Sequence, residues 1–143
     1  MENKESKFCN CLYYASNALA RKLTKMADEA FAETGVSSSY AFLIMTVCGK
    51  PGLQAKEISF HMQLTPSTVT RLIEKMEYKG YLERKSVGRE TQVYPLEKAK
   101  KLNLKIKKAW KNFYEEYTEM LGKEKAVELT QALNVAYQKI ETN

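Results

Sequence analysis

The stretch Leu64-Thr65-Pro66-Ser67-Thr68-Val69-Thr70-Arg71-Leu72-Ile73-Glu74-Lys75-Met76-Glu77-Tyr78-Lys79-Gly80 decides the fold, because it carries start, stripe and stop signals of one helix. Thr65 offers a hydroxyl to a free backbone N–H at a gain of roughly 1 kcal/mol. Pro66 takes the first helical position, where its missing donor costs nothing. Val69, Leu72, Ile73 and Met76 recur at helical spacing as one apolar stripe. Ser67, Thr68, Thr70, Arg71 and Lys75 remain on the other faces. Upstream, Leu53 to Met62 reads as a first helix, joined by the tight turn Gln63-Leu64. Downstream, Tyr81–Lys85 and Thr91–Tyr94 are β-like runs separated by Ser86-Val87-Gly88-Arg89-Glu90. Helix, tight turn, helix and hairpin is the order of a winged helix-turn-helix, which lays its second helix in the DNA major groove.

Short hydroxyls near a helix start, followed by Arg and Lys, lie against phosphates and base edges without steric conflict. A solvated polar face on an ordinary amphipathic helix would look similar. The hairpin after Gly80 favours the first reading.

Charge distribution points the same way. The chain has 143 residues and a net charge of +6. Residues 1–49 are neutral, 50–96 carry eight basic against five acidic side chains, and 97–111 carry seven lysines against Glu97. Residues 112–143 carry three lysines against six glutamates. A basic reader followed by a basic segment is the footprint of a polyanion binder, although a lysine-rich solvated helix would give the same charges.

The length suits one domain with helical extensions. No run approaches the ~20 apolar residues of a membrane span, and Met1 to Lys7 has no signal-type apolar region behind it, so a cytoplasmic location with no membrane partner is expected. Three cysteines, Cys9, Cys11 and Cys48, do not make a disulfide framework and fit a reducing compartment.

Outside the reader, helices with apolar seams are expected. Phe8, Leu12, Ala15, Leu19, Leu23, Met26 and Ala30 place one from about Ser6 to Glu33, ended by Gly35. Ser37-Ser38-Ser39 offers caps for a mostly buried helix from Tyr40 to about Cys48. A second long helix should run from Glu97 to about Leu121, and a last one from Lys123 to about Ile140. The expected fold class is mainly α with a small β-hairpin wing: a winged helix-turn-helix at 38–95, with N- and C-terminal dimerisation helices at 6–34 and 97–141. At ~25 cal/mol per Å² of apolar area, seams left in water forfeit folding energy. A two-fold homodimer built from these arms buries them and reads a near-palindromic operator in double-stranded DNA.

The segment from Leu64 to Arg84 resembles the recognition helix and first wing strand of the multiple antibiotic resistance regulator (MarR) family, bacterial winged-helix transcription regulators that bind DNA as homodimers. The resemblance implies a repressor with Ser67, Thr68, Thr70 and Arg71 at the major groove. Lys75, Arg84 and Lys85 would meet phosphate, and Arg89, matching the wing-tip arginine, the minor groove. Two departures stand out. Val87 replaces the acidic residue that usually braces the wing, and Pro95-Leu96 replaces the usual Leu-Thr before the next helix. The family also binds small aromatic or anionic effectors between its dimer helices and reader, for which Tyr13, Tyr14, Ser38, Tyr40 and Trp110 are the candidates here. Core packing is the plainer role for such aromatics. Cys9-Asn10-Cys11-Leu12-Tyr13-Tyr14-Ala15-Ser16 is similar to the first helix of the organic-peroxide-sensing branch, so Cys9 and Cys11 are candidates for thiol oxidation that releases DNA. As plain small apolar fillers they would need no redox role.

Enzyme chemistry finds little footing. His61 is the single histidine and has no Cys at ligand spacing, no phosphate-loop or dinucleotide glycine pattern occurs, and adjacent Glu115 and Glu116 diverge on a helix. No cofactor, metal or catalytic residue is expected. The rival from another class is a winged helix used for protein contact or ligand sensing without DNA.

Overall fold

The computed structural model describes residues 4–141. The elements are α1 (Leu12–Phe31), a 3-10 turn (Ala32–Thr34), α2 (Ser38–Gly49), β1 (Leu53–Gln54), α3 (Ala55–Met62) and α4 (Pro66–Tyr78). After them come β2 (Leu82–Val87), β3 (Glu90–Pro95), α5 (Glu97–Leu121) and α6 (Lys123–Lys139). The mainly helical class with a small antiparallel wing is as expected.

Several boundaries differ from the sequence expectation: α2 starts at Ser38 rather than Tyr40, β2 and β3 reach Val87 and Glu90 so that the expected loop Ser86–Glu90 shrinks to two residues, and two differences are larger. The first helix starts at Leu12 rather than Ser6. Ser6 accepts a hydrogen bond from the Phe8 N–H on its own hydroxyl, and Cys9 and Cys11 close short turns onto Ser6 and Phe8 carbonyls. Cys11 itself is extended, with φ −95° and ψ 116°. Ser, Cys and Asn are mediocre helix formers whose polar atoms compete for the backbone, so the apolar spacing there does not propagate a helix. The second difference lies at Leu53-Gln54, expected as the start of a helix. These residues form a strand instead, paired antiparallel with β3 through Leu53 opposite Val93 and Gln54 opposite Gln92, in a sheet of order β1-β3-β2. Gly52 turns the chain at φ +96°, where its N–H reaches the Val93 carbonyl at 2.8 Å. An added Cβ there would meet the Tyr94 hydroxyl at 3.2 Å. Gln54 then caps α3 reciprocally with Glu57.

The core forms where α2 crosses the reader. Leu43, Ile44 and Val47 of α2, Ile58 of α3, Val69, Ile73 and Met76 of α4, Leu82 and Val93 of the sheet, and Ala99 and Ile106 of α5 are all buried. The apolar stripe expected on the recognition helix is therefore its buried side. Phe31 joins α1 to this core through edge-on and tilted contacts with Phe42 and Phe113. The arms are different. Leu12 and Tyr13 of α1, Met120 of α5, and Leu133, Val135, Tyr137 and Ile140 in and after α6 are exposed. Among the described residues no helix is long and apolar enough to cross a membrane.

Candidate nucleic-acid interface

The reader is built around the start of α4. Gln63 turns the chain with a left-handed φ of 54°, and the buried Ser59 hydroxyl donates to the Leu64 carbonyl, holding the turn shut. Thr65 caps the helix as expected, its Oγ1 accepting from the Thr68 N–H at 3.4 Å. The same oxygen lies 2.8 Å from the Thr68 hydroxyl and 3.4 Å from that of Ser67. Three hydroxyls thus gather at the positive end of a helix, suited to an anionic oxygen.

At 100° per residue, Ser67, Thr70, Arg71 and Lys75 share the face opposite Val69 and Met76. Ser67, Arg71 and Lys75 are exposed, and Thr68 and Thr70 half-buried. Two residues that sequence reasoning did not single out share this face. Tyr78 is 92% exposed, and Glu74 lies between Arg71 and Lys75. Helical spacing from Ser67 would have found both. The Lys75 ammonium sits 5.4 Å from the Tyr40 ring centre, so α2 supports its position.

The wing is a two-residue hairpin. Strands β2 and β3 pair from Leu82 opposite Pro95 to Val87 opposite Glu90, so the turn is Gly88-Arg89. Gly88 takes φ +63° and Arg89 does not take a positive φ, the arrangement favoured when glycine fills the first turn position. Arg89 therefore stands at the tip, exposed, and among the described residues has no carboxylate within 4 Å. Val87, in the usual place of an acidic brace, is exposed instead.

The two basic residues at the wing base are engaged. Arg84 turns onto the helix and grips Glu77, at 2.9 Å for the closest pair. Hydrogen bonding from Arg84 chiefly holds the Glu77 carboxyl below its ordinary range and the guanidinium above its own. Lys85 pairs with Glu83 at 3.2 Å and lies 4.9 Å over the Tyr94 ring. Of the lysines after the wing, Lys98 is also fixed, 4.2 Å over the Tyr81 ring.

The effector candidates are not brought together within one chain. Tyr14 stacks on Phe8 and meets Tyr13 edge-on along the exposed arm, Trp110 packs edge-on to Phe42, and Tyr40 is under Lys75. Ser38 is the first residue of α2, half-buried. A groove of about 450 Å³ between α5 and the end of α1 with its 3-10 turn is lined by others, among them Glu29, Glu33, Lys105, Lys108 and Phe113. Cys9 and Cys11 are exposed. The Cys9 thiol faces the Glu5 carboxylate at 3.7 Å, where a reactive thiolate calls for a cation. Cys48 is half-buried, and burial pushes its thiol up. Among the described residues no three His, Cys, Asp or Glu side chains are grouped to hold a metal ion.

Known proteins share this fold. A family model described as MarR family matches residues 34–90. No curated protein matches the sequence. Among solved structures, CouR from Rhodococcus jostii RHA1 bound to p-coumaroyl-CoA is similar at 15% identity and a TM-score of 0.79, covering 96% of this chain and 100% of that one. The S. aureus MepR–DNA complex is similar at 14% identity with a TM-score of 0.79 and the same coverage, 96% and 100%. A MarR transcriptional regulator from Methanosarcina mazei Go1 reaches 22% identity and a TM-score of 0.72, covering 96% and 92%. Residues 34–90, the winged helix with α4 and the wing tip, thus match the model of the MarR family, and nearly the whole chain has the fold of solved MarR-type regulators.

Proposed function

We propose that this chain is a sequence-specific DNA-binding transcription repressor that works as a homodimer. The observation that carries it is the outward face of α4, where Ser67, Thr70, Arg71 and Lys75 lie free of the core beside a wing tipped by Arg89, which is exposed and pairs with no carboxylate among the described residues. Thr68 adds a hydroxyl at the edge of that face. The similar MepR structure is a DNA complex, which supports the same use here. In this assignment Ser67, Thr68, Thr70 and Arg71 read the major groove, Lys75 and Lys85 meet phosphate, and Arg89 enters the minor groove. Arg84, whose charge is already satisfied by Glu77, is not assigned to phosphate.

The exposed apolar residues of α1, α5 and α6 supply the dimer surface, with 6–34 and 97–141 as dimerisation arms and 38–95 as the DNA-binding domain. Two-fold pairing of such arms sets the recognition helices about 34–36 Å apart, one turn of DNA. Release from DNA follows from a small aromatic or anionic effector, consistent with the p-coumaroyl-CoA seen in CouR. Such a ligand weakens DNA binding only by preferring the spacing that does not fit DNA. Tyr13, Tyr14, Ser38, Tyr40 and Trp110 could line its site only with both chains contributing. Exposure of Cys9 and Cys11 leaves thiol oxidation as a second route of release. The protein is expected to act in the cytoplasm.

The deciding measurement is fluorescence anisotropy with the DNA upstream of the chain's own gene, at moderate salt, beside a scrambled duplex. Saturation at two chains per duplex and clear preference for the upstream DNA support the proposal. Equal, weak affinity for both duplexes would leave a winged helix that serves protein contact or ligand sensing.

A further inference from the structure

One residue of the wing meets the carboxylate of Glu77 three times. The Arg84 backbone N–H donates to Oε2 at 3.1 Å, its Nε donates to the same oxygen at 3.3 Å, and its Nη2 donates to Oε1 at 2.9 Å. The other terminal nitrogen, Nη1, lies 3.9 Å from Oε1 of Glu74, one turn earlier on α4. A planar guanidinium laid edge-on against a carboxylate fixes direction as well as distance, and the backbone donor adds a third constraint.

The backbone ties the root of the wing, through the Tyr81 N–H to the Met76 carbonyl at 2.9 Å and the pairing of β1 with β3 as far as Gln54 opposite Gln92, and this contact braces the hairpin where those ties end. Between α4 and β2 the chain passes through Gly80 at φ +82°, with open space around its Cα. From Arg84 through Thr91 every residue of the hairpin is exposed, so no buried side chain in that span anchors the wing. The reach from Arg84 to Arg89 is five residues, about 17 Å at strand spacing. A ten-degree error at the base would displace the tip by about 3 Å, more than a hydrogen bond tolerates.

We propose that Glu77 and Arg84 form a clamp that positions Arg89 for DNA, with neither side chain touching nucleic acid. The clamp rests on the DNA-binding function proposed above, and it separates from simple electrostatics by sign. Removing the negative charge of Glu77 beside a polyanion should tighten binding if charge alone matters. It should weaken binding if the carboxylate holds the wing.

The test is a double-mutant cycle of Glu77→Gln and Arg89→Ala against the upstream DNA, with Arg84→Lys as a second variant that keeps charge but loses the fork. Each single substitution should weaken binding by about tenfold, and Arg89→Ala should cost no more than about twofold in the Glu77→Gln background. Binding by Glu77→Gln as tight as wild type or tighter, or a full Arg89 penalty in its background, overturns the clamp. Limited trypsin digestion without DNA gives an independent arm. Cleavage after Lys85 and Arg89 should be severalfold faster in Glu77→Gln and Arg84→Lys than in wild type or Glu83→Gln, and equal rates overturn the clamp. A wild-type protein that binds no DNA would count against the regulator function, while the digestion still decides whether the clamp holds the wing.

Discussion

Lys98, in the first turn of α5, donates its ammonium to the backbone carbonyl of Lys79 at 2.9 Å, fastening the rod that leaves the reader to the last turn of the recognition helix. The interaction complements the negative end of α4, and the Tyr81 ring beneath it keeps the side chain from swinging free. Lys98→Ala should lower stability by about 0.5–1 kcal/mol, read as a drop in the urea midpoint without a change in slope. A changed slope would show that the substitution alters how much surface unfolding exposes, which removal of one surface tether does not.

Arg89→Ala should weaken DNA binding and reduce the slope of log affinity against log salt by about 0.9 for each phosphate no longer neutralised. Arg89 is exposed and has no carboxylate partner among the described residues, so stability should be unchanged. An unaltered salt slope and affinity would take the wing out of the interface.

Thr65→Ala removes the cap from α4 and loosens the three-hydroxyl cluster. A cost of about 1 kcal/mol is expected in chemical unfolding. Thr65→Ser, which keeps the oxygen, should restore most of it.

Acid should free the wing before it unfolds the core. The Glu77 carboxyl titrates below its ordinary value because Arg84 hydrogen-bonds its charged form, against a smaller opposing effect of burial. A depressed carboxylate contributes stability that is fully present above the unfolded-state value, about 4.3, and is lost as pH falls through the lower folded value. Amide exchange in Leu82–Val87 should therefore accelerate as pH drops below about 4, after correction for intrinsic rates, while the helical core stays protected. Glu77→Gln should abolish that pH dependence.

Thiol labelling should divide the cysteines. Cys9 and Cys11 are exposed and Cys48 is half-buried with its thiol pushed up by burial, a shift that Lys100 and Lys107 only partly offset. At neutral pH two thiols should react quickly and the third at least about tenfold more slowly. Three equal rates would mean that α2 does not shield Cys48.

How much of this was legible in the sequence depended on whether the signal was local. The recognition helix was readable because its cap, its N1 proline and its apolar stripe all act within thirteen residues. The strand at Leu53-Gln54 was not, since two residues paired to Val93 and Gln92 leave no local period. The N-terminal spacing of Phe8 and Leu12 misled for the opposite reason: apolar periodicity continued past the point where Ser6, Cys9 and Asn10 stop favouring a helix. In the reader, basic residues could be placed by position, but Arg84 and Arg89 look alike in sequence. Only the turn after Gly80, bringing position 84 back onto Glu77, separates an exposed arginine paired with a carboxylate from one that has none within 4 Å among the described residues. The effector candidates failed to converge because they lie on α1, α2 and α5 faces that one chain keeps apart.

Helix α5 buries Ala99, Ile106 and Ala109 at its reader end and ends with Met120 and Leu121 exposed. Twenty-five residues make a rod about 38 Å long. A five-degree swing about its reader end carries the far tip roughly 3 Å, close to the distance between successive base pairs. In the proposed dimer, small changes in how two such rods cross would be magnified into a mismatch with the pitch of the double helix, so that a modest molecule wedged among the arms would have mechanical advantage over the proposed grip on DNA.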